Sequence, residues 1–269
     1  MTSDPRAVSD TWEQGDPYEQ YVGRWSRRVA PRFLTWLHVP AGRQWLDVGC
    51  GTGALSAAIL DHCAPAALAS IEPSEGFLDN ARRHLAGRAD LHRASATQIP
   101  LADAAVDVVA SGLVLNFVPD QPAALAEMTR VTARGGTIGA YVWDYAGGME
   151  LIRHFWDAAI ALDPAAMKLD EGVRFPVCRP EALAQLFTAA GLQAVEVTAI
   201  DVPTPFTSLE DYWQPFLGGQ GPAPAYAMSL DEAARSRLRE RLRARLPATA
   251  DGSIRLTARA WAARGAVAA

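Results

Sequence analysis

The chain has 269 residues, of which 49% are hydrophobic and 20% are charged, and its formal net charge is −5. This length fits one elaborated α/β domain. An acidic balance gives no general attraction to phosphate backbones, so nucleic acid is disfavoured as a partner.

The cysteines and the chain start restrict the class of protein further. Cys50, Cys63 and Cys178 form no CxxC pair, and no histidine cluster accompanies them, so neither a disulfide framework nor a metal site is expected. The first ten residues are polar, unlike a signal peptide, and no window holds the roughly 18 consecutive apolar residues that a membrane helix needs. We expect a cytoplasmic protein with no membrane partner, either a monomer or a homodimer.

Residues 1–40 are predicted to form a polar tail followed by a helical cap. Hydrophobic residues within 18–37 recur at steps of three and four, which is helical spacing, and Pro31 suggests two short helices that meet there. The cap residues that are candidates for contact with a ligand are Tyr18, Tyr21, Arg24 and Trp25.

From residue 41 onward, short apolar runs alternate with helical patterns. This rhythm is typical of a doubly wound parallel sheet. We therefore predict one domain over 41–269, with 145–180 and 203–250 as insertions that cap the substrate. The predicted strands are 44–48, 68–71, 90–93, 106–111, 137–142, 192–200 and 254–263.

The first predicted strand leads into a glycine-rich loop that opens a helix. Its glycines, Gly49, Gly51 and Gly53, permit positive φ and close approach of a ligand, and a helix N-terminus attracts carboxylate or phosphate. Glu72 ends the second strand, where a carboxylate binds ribose hydroxyls. This pattern also satisfies the dinucleotide form GxGxxA, so a NAD-dependent oxidoreductase stays an alternative. Asp47, two residues before the loop, favours a ligand with a positive amino group and a sulfonium but no pyrophosphate.

The run LDVGCGTG at 46–53 resembles the first motif of the class I (Rossmann-like) S-adenosylmethionine-dependent methyltransferases. The resemblance is ordered over residues 44–145 and looser over the whole chain. It implies a seven-stranded, mostly parallel α/β sheet with a late antiparallel hairpin, S-adenosylmethionine as the cofactor and a small-molecule methyl acceptor. The further segments that resemble the family are 71–74, 94–100, 106–109, 111–118 and 134–136.

The resemblance also implies a set of cofactor contacts. Glu72 would hold the adenosine ribose, and the segment with Ser95 would line the adenine. Serine stands where the family has an acidic residue, so that contact is weaker here. Cys50 is interpreted as a small packing residue of the loop. The cofactor-binding candidates are Asp47, Gly49, Cys50, Gly51, Gly53, Glu72, Pro73, Ser95, Ala96, Leu115, Asn116, Tyr21 and Arg24.

Aromatic and polar residues after the fifth strand are candidates for the acceptor site. Aromatic walls suit a planar or cationic acceptor. His154 and Asp144 are candidate catalytic bases that would remove a proton from an acceptor hydroxyl or amine. The substrate-binding candidates are Tyr18, Trp25, Trp143, Tyr145 and Phe155.

Three activities follow from these patterns, with methyl transfer to an O, N or C atom of a small molecule favoured. An RNA or protein methyltransferase and a NAD-dependent oxidoreductase are the alternatives. The arginine-rich helix predicted over 230–246 is interpreted as a solvated amphipathic helix and not as a nucleic-acid surface.

Overall fold

The computed structural model describes residues 23–218 and 221–269, without the side chain of Arg24. The chain divides into two compact units. We call 26–143, 177–200 and 260–269 the sheet unit, and the described parts of 1–25, 144–176 and 201–259 the helix-rich unit.

Helices and strands alternate through the first half of the chain. The helices are α1 Arg24–Leu37, α2 Ala54–His62, α3 Glu75–Leu85, α4 Gln121–Val131, α5 Glu150–Leu162, α6 Glu171–Arg174, α7 Pro180–Ala189, α8 Leu209–Trp213, α9 Pro222–Ser229 and α10 Glu232–Arg245. The strands are β1 Gln44–Val48, β2 Ala67–Glu72, β3 Asp90–Arg93, β4 Val106–Gly112, β5 Thr132–Trp143, β6 Gln193–Phe206 and β7 Ile254–Ala266. Short 3-10 helices occupy 115–117, 164–169, 176–178 and 214–218.

The described residues form one seven-stranded sheet in the order β3-β2-β1-β4-β5-β7-β6. The pairs that connect β3 through β5 are parallel, and β7 is antiparallel to β5. The order reverses between β1 and β4, as it does in doubly wound folds, and this reversal creates a crevice at the carboxyl ends of the strands. The predicted Rossmann-like α/β fold class is therefore confirmed.

The helices α3 and α4 begin beside this crevice, and each has a side-chain cap at its N-terminus. Ser74 caps α3, and its hydroxyl accepts a hydrogen bond from the Phe77 N–H. Asp120 caps α4 by accepting from the Ala123 N–H, with Pro122 in the first turn. Side-chain oxygens at these positions satisfy amides that would otherwise lack a partner.

The prediction of two helices meeting at Pro31 is wrong, because α1 is one helix over Arg24–Leu37. A proline inside a helix costs about 3 kcal/mol. Val29, Phe33 and Leu37 are buried on both sides of it. Burial of such side chains stabilises by roughly 1.5–3 kcal/mol each, so packing outweighs the proline.

Residues 134–136, one of the segments that resemble the family, lie inside β5, which begins five residues before the strand predicted over 137–142. Val106 pairs with Thr132, but Val108 pairs with Thr137, so residues 133–136 bulge out of register with β4. Gly136 is required in this bulge, because a methyl group there would lie 2.6 Å from the Asp107 carbonyl oxygen. A bulge is a local disruption of a ladder and leaves the strand intact.

Aromatic rings form much of the core of the helix-rich unit. Phe155 on α5 stacks on Phe216, with centroids 4.5 Å apart, and Trp156 lies 5.5 Å from Tyr226. Arg153 joins α5 to the turn before α6 through a bidentate ion pair with the buried Asp170 carboxylate. Within the described residues, no helix is both long and apolar enough to cross a membrane.

A buried carboxyl group lies in this aromatic core. Glu171 is 2% exposed, and its Oε2 accepts a hydrogen bond from the Trp156 indole. Burial raises the pKa of Glu171 to about 8, against the lowering effect of that hydrogen bond. The folded state therefore holds a proton that the unfolded state releases at lower pH.

We expect Glu171→Gln to remove this pH dependence. Between the ordinary glutamate pKa of 4.5 and about 8 the folded wild type binds more protons than the unfolded chain, so its stability falls as pH rises through that window. At roughly 1.4 kcal/mol per pKa unit over the three units from pH 5 to about pH 8, the variant should gain on the order of 4 kcal/mol over wild type between pH 5 and pH 9. Urea unfolding at both pH values measures this difference, with the exposed Glu181→Gln as control. Equal pH dependence of Glu171→Gln and wild type would contradict the assignment.

Candidate active site

The sequence-predicted residues of the sheet unit lie at one edge of the sheet. β1, β2, β3, β4 and β5 are linked by parallel pairs, so the segments that follow them emerge on the same side. The predicted residues at these carboxyl ends are Asp47, Gly49, Cys50, Gly51, Gly53, Glu72, Pro73, Ser95, Ala96, Leu115, Asn116 and Trp143.

The glycine loop between β1 and α2 turns through three left-handed residues. Gly49, Gly51 and Gly53 have φ of 75°, 54° and 92°, which L-residues with side chains rarely adopt. The N–H groups of Gly49 and Cys50 both donate to the Ile71 carbonyl on β2, at 2.8 and 3.0 Å. A methyl group on Gly51 would meet no atom within 4 Å, so this part of the loop faces open space.

The loop after β4 packs directly on the glycine loop. A methyl group at Gly49 would lie 2.5 Å from the Val114 side chain. Leu113, just before it, has a φ of 64°, and its N–H donates to the Tyr141 carbonyl on β5 at 2.7 Å. Ser111 donates to the Val48 carbonyl at 2.9 Å. The sequence placed Val114 in the segment 111–118 that resembles the family but did not indicate this contact, because an isolated valine carries no signal of it.

Asp47 is fully buried beneath the loop. Its Oδ2 accepts from the Ser56 hydroxyl at 2.6 Å, and Ser56 lies 2.9 Å from the Ser70 hydroxyl. Its Oδ1 has no hydrogen-bond partner in the described parts of the chain. Burial raises the pKa of Asp47 to about 7, the Ser56 hydrogen bond lowers it, and Glu72 raises it further. Asp47 is therefore linked by hydrogen bonds to Ser56 on α2 and, through Ser56, to Ser70 on β2.

Glu72 presents its carboxylate at the end of β2. Its Oε2 accepts from the Gly51 N–H at 3.2 Å, and its Oε1 accepts from the Ser74 N–H at 3.0 Å. Burial raises the pKa of Glu72, while these two backbone hydrogen bonds lower it. Each carboxylate oxygen keeps a further lone pair, so Glu72 can still accept from the hydroxyl groups of a ligand.

Cys50 is a packing residue of the loop. It is buried against Leu78, Ala81 and Leu85. Burial raises the pKa of its thiol well above the ordinary range, with smaller contributions from Asp47 and Glu72. A thiol in this environment stays protonated and is a poor nucleophile.

An ion pair on α4 anchors the segment after β3. Glu127 accepts from the Ile99 N–H at 2.8 Å, and Arg130 donates to the Ile99 carbonyl at 2.9 Å. Arg130 also donates to Glu127, which lowers the pKa of that carboxyl to about 2. Sequence reasoning missed this pair, although its spacing of three residues on a helix was visible. Within the anchored segment, the exposed Ser95 accepts from the Thr97 N–H in a local turn.

Besides Asp47, two further buried side chains at this edge have polar atoms without partners. Asn116, in the 3-10 helix after β4, has neither amide atom hydrogen-bonded within 23–218 and 221–269. The same holds for the indole nitrogen of Trp143 at the end of β5. Their exposed fractions are 5% and 1%. Buried polar groups are normally paired, so these two require an explanation.

The remaining candidates lie in the helix-rich unit. The Asp144 carboxylate accepts from the Gly148 N–H at 2.8 Å and so shapes the turn before α5. His154 is half-buried on α5, and burial lowers its pKa, with Glu150 and Asp157 acting in the opposite direction. Three buried aromatic rings have close aromatic neighbours: Trp25 lies 5.5 Å from Phe206, Tyr145 lies 5.9 Å from Phe175, and Phe155 is in the core described above.

Some predictions fall on residues that cannot be placed here. Tyr18 and Tyr21 lie outside the described residues, and so does the side chain of Arg24. Among the described residues, no three or more His, Cys, Asp and Glu side chains are grouped so as to hold a metal ion.

The sheet unit is suited to a ligand that carries hydroxyl groups and positive charge. Gly51 leaves open space at a helix N-terminus, Glu72 keeps acceptor capacity for ribose hydroxyls, and Asp47 places a second carboxyl beneath the loop. A ligand with a pyrophosphate would bring negative charge towards two buried carboxyl groups whose pKa values are already raised.

Comparison with known proteins gives a consistent result. A family model described as a methyltransferase domain matches residues 46–139. The chain is 35% identical over 137 residues to a malonyl-[acyl-carrier protein] O-methyltransferase of Serratia marcescens, a match that covers 51% of this chain and 52% of the relative. It is 30% identical over 201 residues to the enzyme of the same name from Geobacter sulfurreducens, covering 72% and 73%.

The fold has solved counterparts at low identity. A phosphoethanolamine N-methyltransferase of Haemonchus contortus superposes with a TM-score of 0.57 at 13% identity, over 94% of this chain and 56% of that one. Several matches to curated relatives span only about half of the relative's length. The Geobacter match, which spans most of both chains, together with the domain match establishes the family. The chain belongs to the class I, Rossmann-like methyltransferases, and its cofactor is S-adenosylmethionine.

Proposed function

We propose that this enzyme transfers a methyl group from S-adenosylmethionine to a small-molecule acceptor. The observation that carries this proposal is the attachment of the glycine loop to β2: the Gly51 N–H donates to the Glu72 carboxylate, and the Gly49 and Cys50 N–H groups donate to the Ile71 carbonyl. This arrangement offers open space at Gly51 and carboxylate oxygens that can accept hydrogen bonds from ribose hydroxyls.

In this proposal the sheet unit binds and orients the cofactor. Glu72 accepts from the ribose hydroxyls, Ser95 and Ala96 line the adenine, and the loop with Leu115 lies by the methionine moiety. When bound, the cofactor supplies an electrophilic methyl group on a sulfonium. The protein's own contribution is to hold acceptor and methyl in line and to exclude water.

Two observations bear on the acceptor: the substrates of the relatives and the candidate residues of this chain. Those relatives act on unlike groups, a malonyl carrier protein and phosphoethanolamine, so the acceptor atom does not follow from the family. His154 and Asp144 are proposed bases for acceptors that must lose a proton. Because its pKa is lowered, His154 is neutral at physiological pH and able to accept that proton. The proposed substrate-binding aromatic side chains are Tyr18, Trp25, Trp143, Tyr145 and Phe155.

Methyl-transfer assays test the proposed function. The purified chain is incubated with tritiated S-adenosylmethionine and panels of small molecules, RNA and protein. We expect labelled small-molecule product and S-adenosylhomocysteine. Label that enters only RNA or protein would replace the small-molecule acceptor with a macromolecular one.

We predict that Glu72→Ala weakens S-adenosylhomocysteine binding at least tenfold, about 1.4 kcal/mol. The substitution removes the ribose acceptor and the carboxylate that holds the Gly51 N–H. Calorimetric titration measures the loss. Glu75→Ala is the matched control, since Glu75 is exposed and pairs with Arg82. Unchanged affinity in folded Glu72→Ala would remove Glu72 from the site.

We predict that Gly51→Val abolishes S-adenosylhomocysteine binding by filling the open space at the glycine loop. A valine at positive φ also strains the backbone, so the control must carry the same strain. Gly42→Val does so, because Gly42 has a φ of 77° and equally open surroundings before β1. Both variants should lose similar stability, and only Gly51→Val should lose binding. Retained binding there would refute the placement of the cofactor at the glycine loop.

A further inference from the structure

The 3-10 helix after β4 buries a primary amide that the fold does not use. Asn116 is 5% exposed, and neither its Nδ2 nor its Oδ1 has a hydrogen-bond partner in the described chain. Burying an amide without a hydrogen-bond partner destabilises a folded protein, so unpaired buried amides are rare. An unpaired amide of this kind points to a role in binding a ligand.

A second unpaired donor lies at the end of the neighbouring strand. Trp143 is 1% exposed, and its indole N–H also lacks a partner among the residues described. β4 and β5 run parallel up to the pair Gly112 and Tyr141, and the 3-10 helix that carries Asn116 packs against β5. Both unpaired side chains therefore belong to the carboxyl edge of the sheet unit.

Asn116 does not share the face of its helix that meets the glycine loop. Val114, which caps this 3-10 helix, contacts the position of Gly49. Side chains in a 3-10 helix turn by about 120° per residue, so Asn116 points away from the side of Val114. The amide therefore leaves the helix on a side other than the one that packs on Gly49.

We propose that Asn116, with Trp143, binds the methyl acceptor and selects one that presents an oxygen-rich group, such as a carboxylate, a carbonyl or a phenolate. The proposal rests on the proposed function. The two side chains offer three N–H donors and one carbonyl acceptor. A group with several lone pairs satisfies this set, whereas an ammonium group, which only donates, leaves the N–H groups unpaired.

A substitution that removes the amide tests whether Asn116 stabilises the folded protein. Asn116→Leu keeps the approximate shape and deletes the unpaired polar atoms, so the ligand-free variant should melt about 2–4 °C above wild type. Ser111→Ala is the matched control on β4, because its buried hydroxyl is paired with the Val48 carbonyl and its loss should lower Tm. A fall in Tm for Asn116→Leu equal to that of the control would make the amide structural and overturn the proposal.

Binding of S-adenosylhomocysteine separates an acceptor role from a cofactor role. We expect the Kd of Asn116→Leu to stay within threefold of wild type by calorimetry. A tenfold loss would assign the amide to the cofactor. If wild type itself binds no S-adenosylhomocysteine, the proposed function has failed, which is a separate result from a change confined to the variant.

The chemical class is tested on the wild-type chain saturated with S-adenosylhomocysteine. Nitrogen NMR signals of the Asn116 side chain and the Trp143 indole are assigned with Asn116→Leu and Trp143→Phe. Benzoate and malonate are titrated as oxygen-rich probes, with benzylamine as the matched amine. Both signals should move with the carboxylates and stay unchanged with the amine. No movement with either carboxylate, or movement with benzylamine, would overturn the selectivity for oxygen.

Discussion

The hydrogen bonds that tie the glycine loop to β2 hold the candidate site together. The Ile71 carbonyl accepts from both Gly49 and Cys50, and the next residue, Glu72, accepts from Gly51. One strand end therefore sets the path of the loop and presents the carboxylate proposed to bind ribose. Val114 closes the loop from the side of β4 at a distance that only glycine tolerates at position 49.

The charges beneath the loop favour a cationic ligand. Burial raises the pKa of Asp47 to about 7 and also raises that of Glu72, so ionising either carboxyl costs free energy in the protein alone. A nearby positive charge lowers both pKa values and favours the ionised forms, whereas a pyrophosphate raises them. Binding of a sulfonium compound is therefore expected to release protons near neutral pH, and this linkage distinguishes it from binding of a dinucleotide.

Much of the fold and part of the site could be predicted from the sequence. The alternation of apolar runs and helical patterns indicates a parallel sheet, and parallel strands bring the loop, Glu72 and the Asn116 segment to one edge. Contacts between distant residues could not be predicted. An isolated valine such as Val114 carries no signal, and the spacing of Glu127 and Arg130 indicates an ion pair on a helix but not its contact with Ile99. The continuity of α1 through Pro31 also depends on tertiary packing, which overrides a local propensity.

The carboxyl edge of the sheet unit is proposed to bind S-adenosylmethionine. Calorimetric titration with S-adenosylhomocysteine, and with NAD in parallel, tests it most directly. We expect saturable binding of S-adenosylhomocysteine and no binding of NAD. Binding of NAD alone would contradict the account and assign the glycine loop to a dinucleotide.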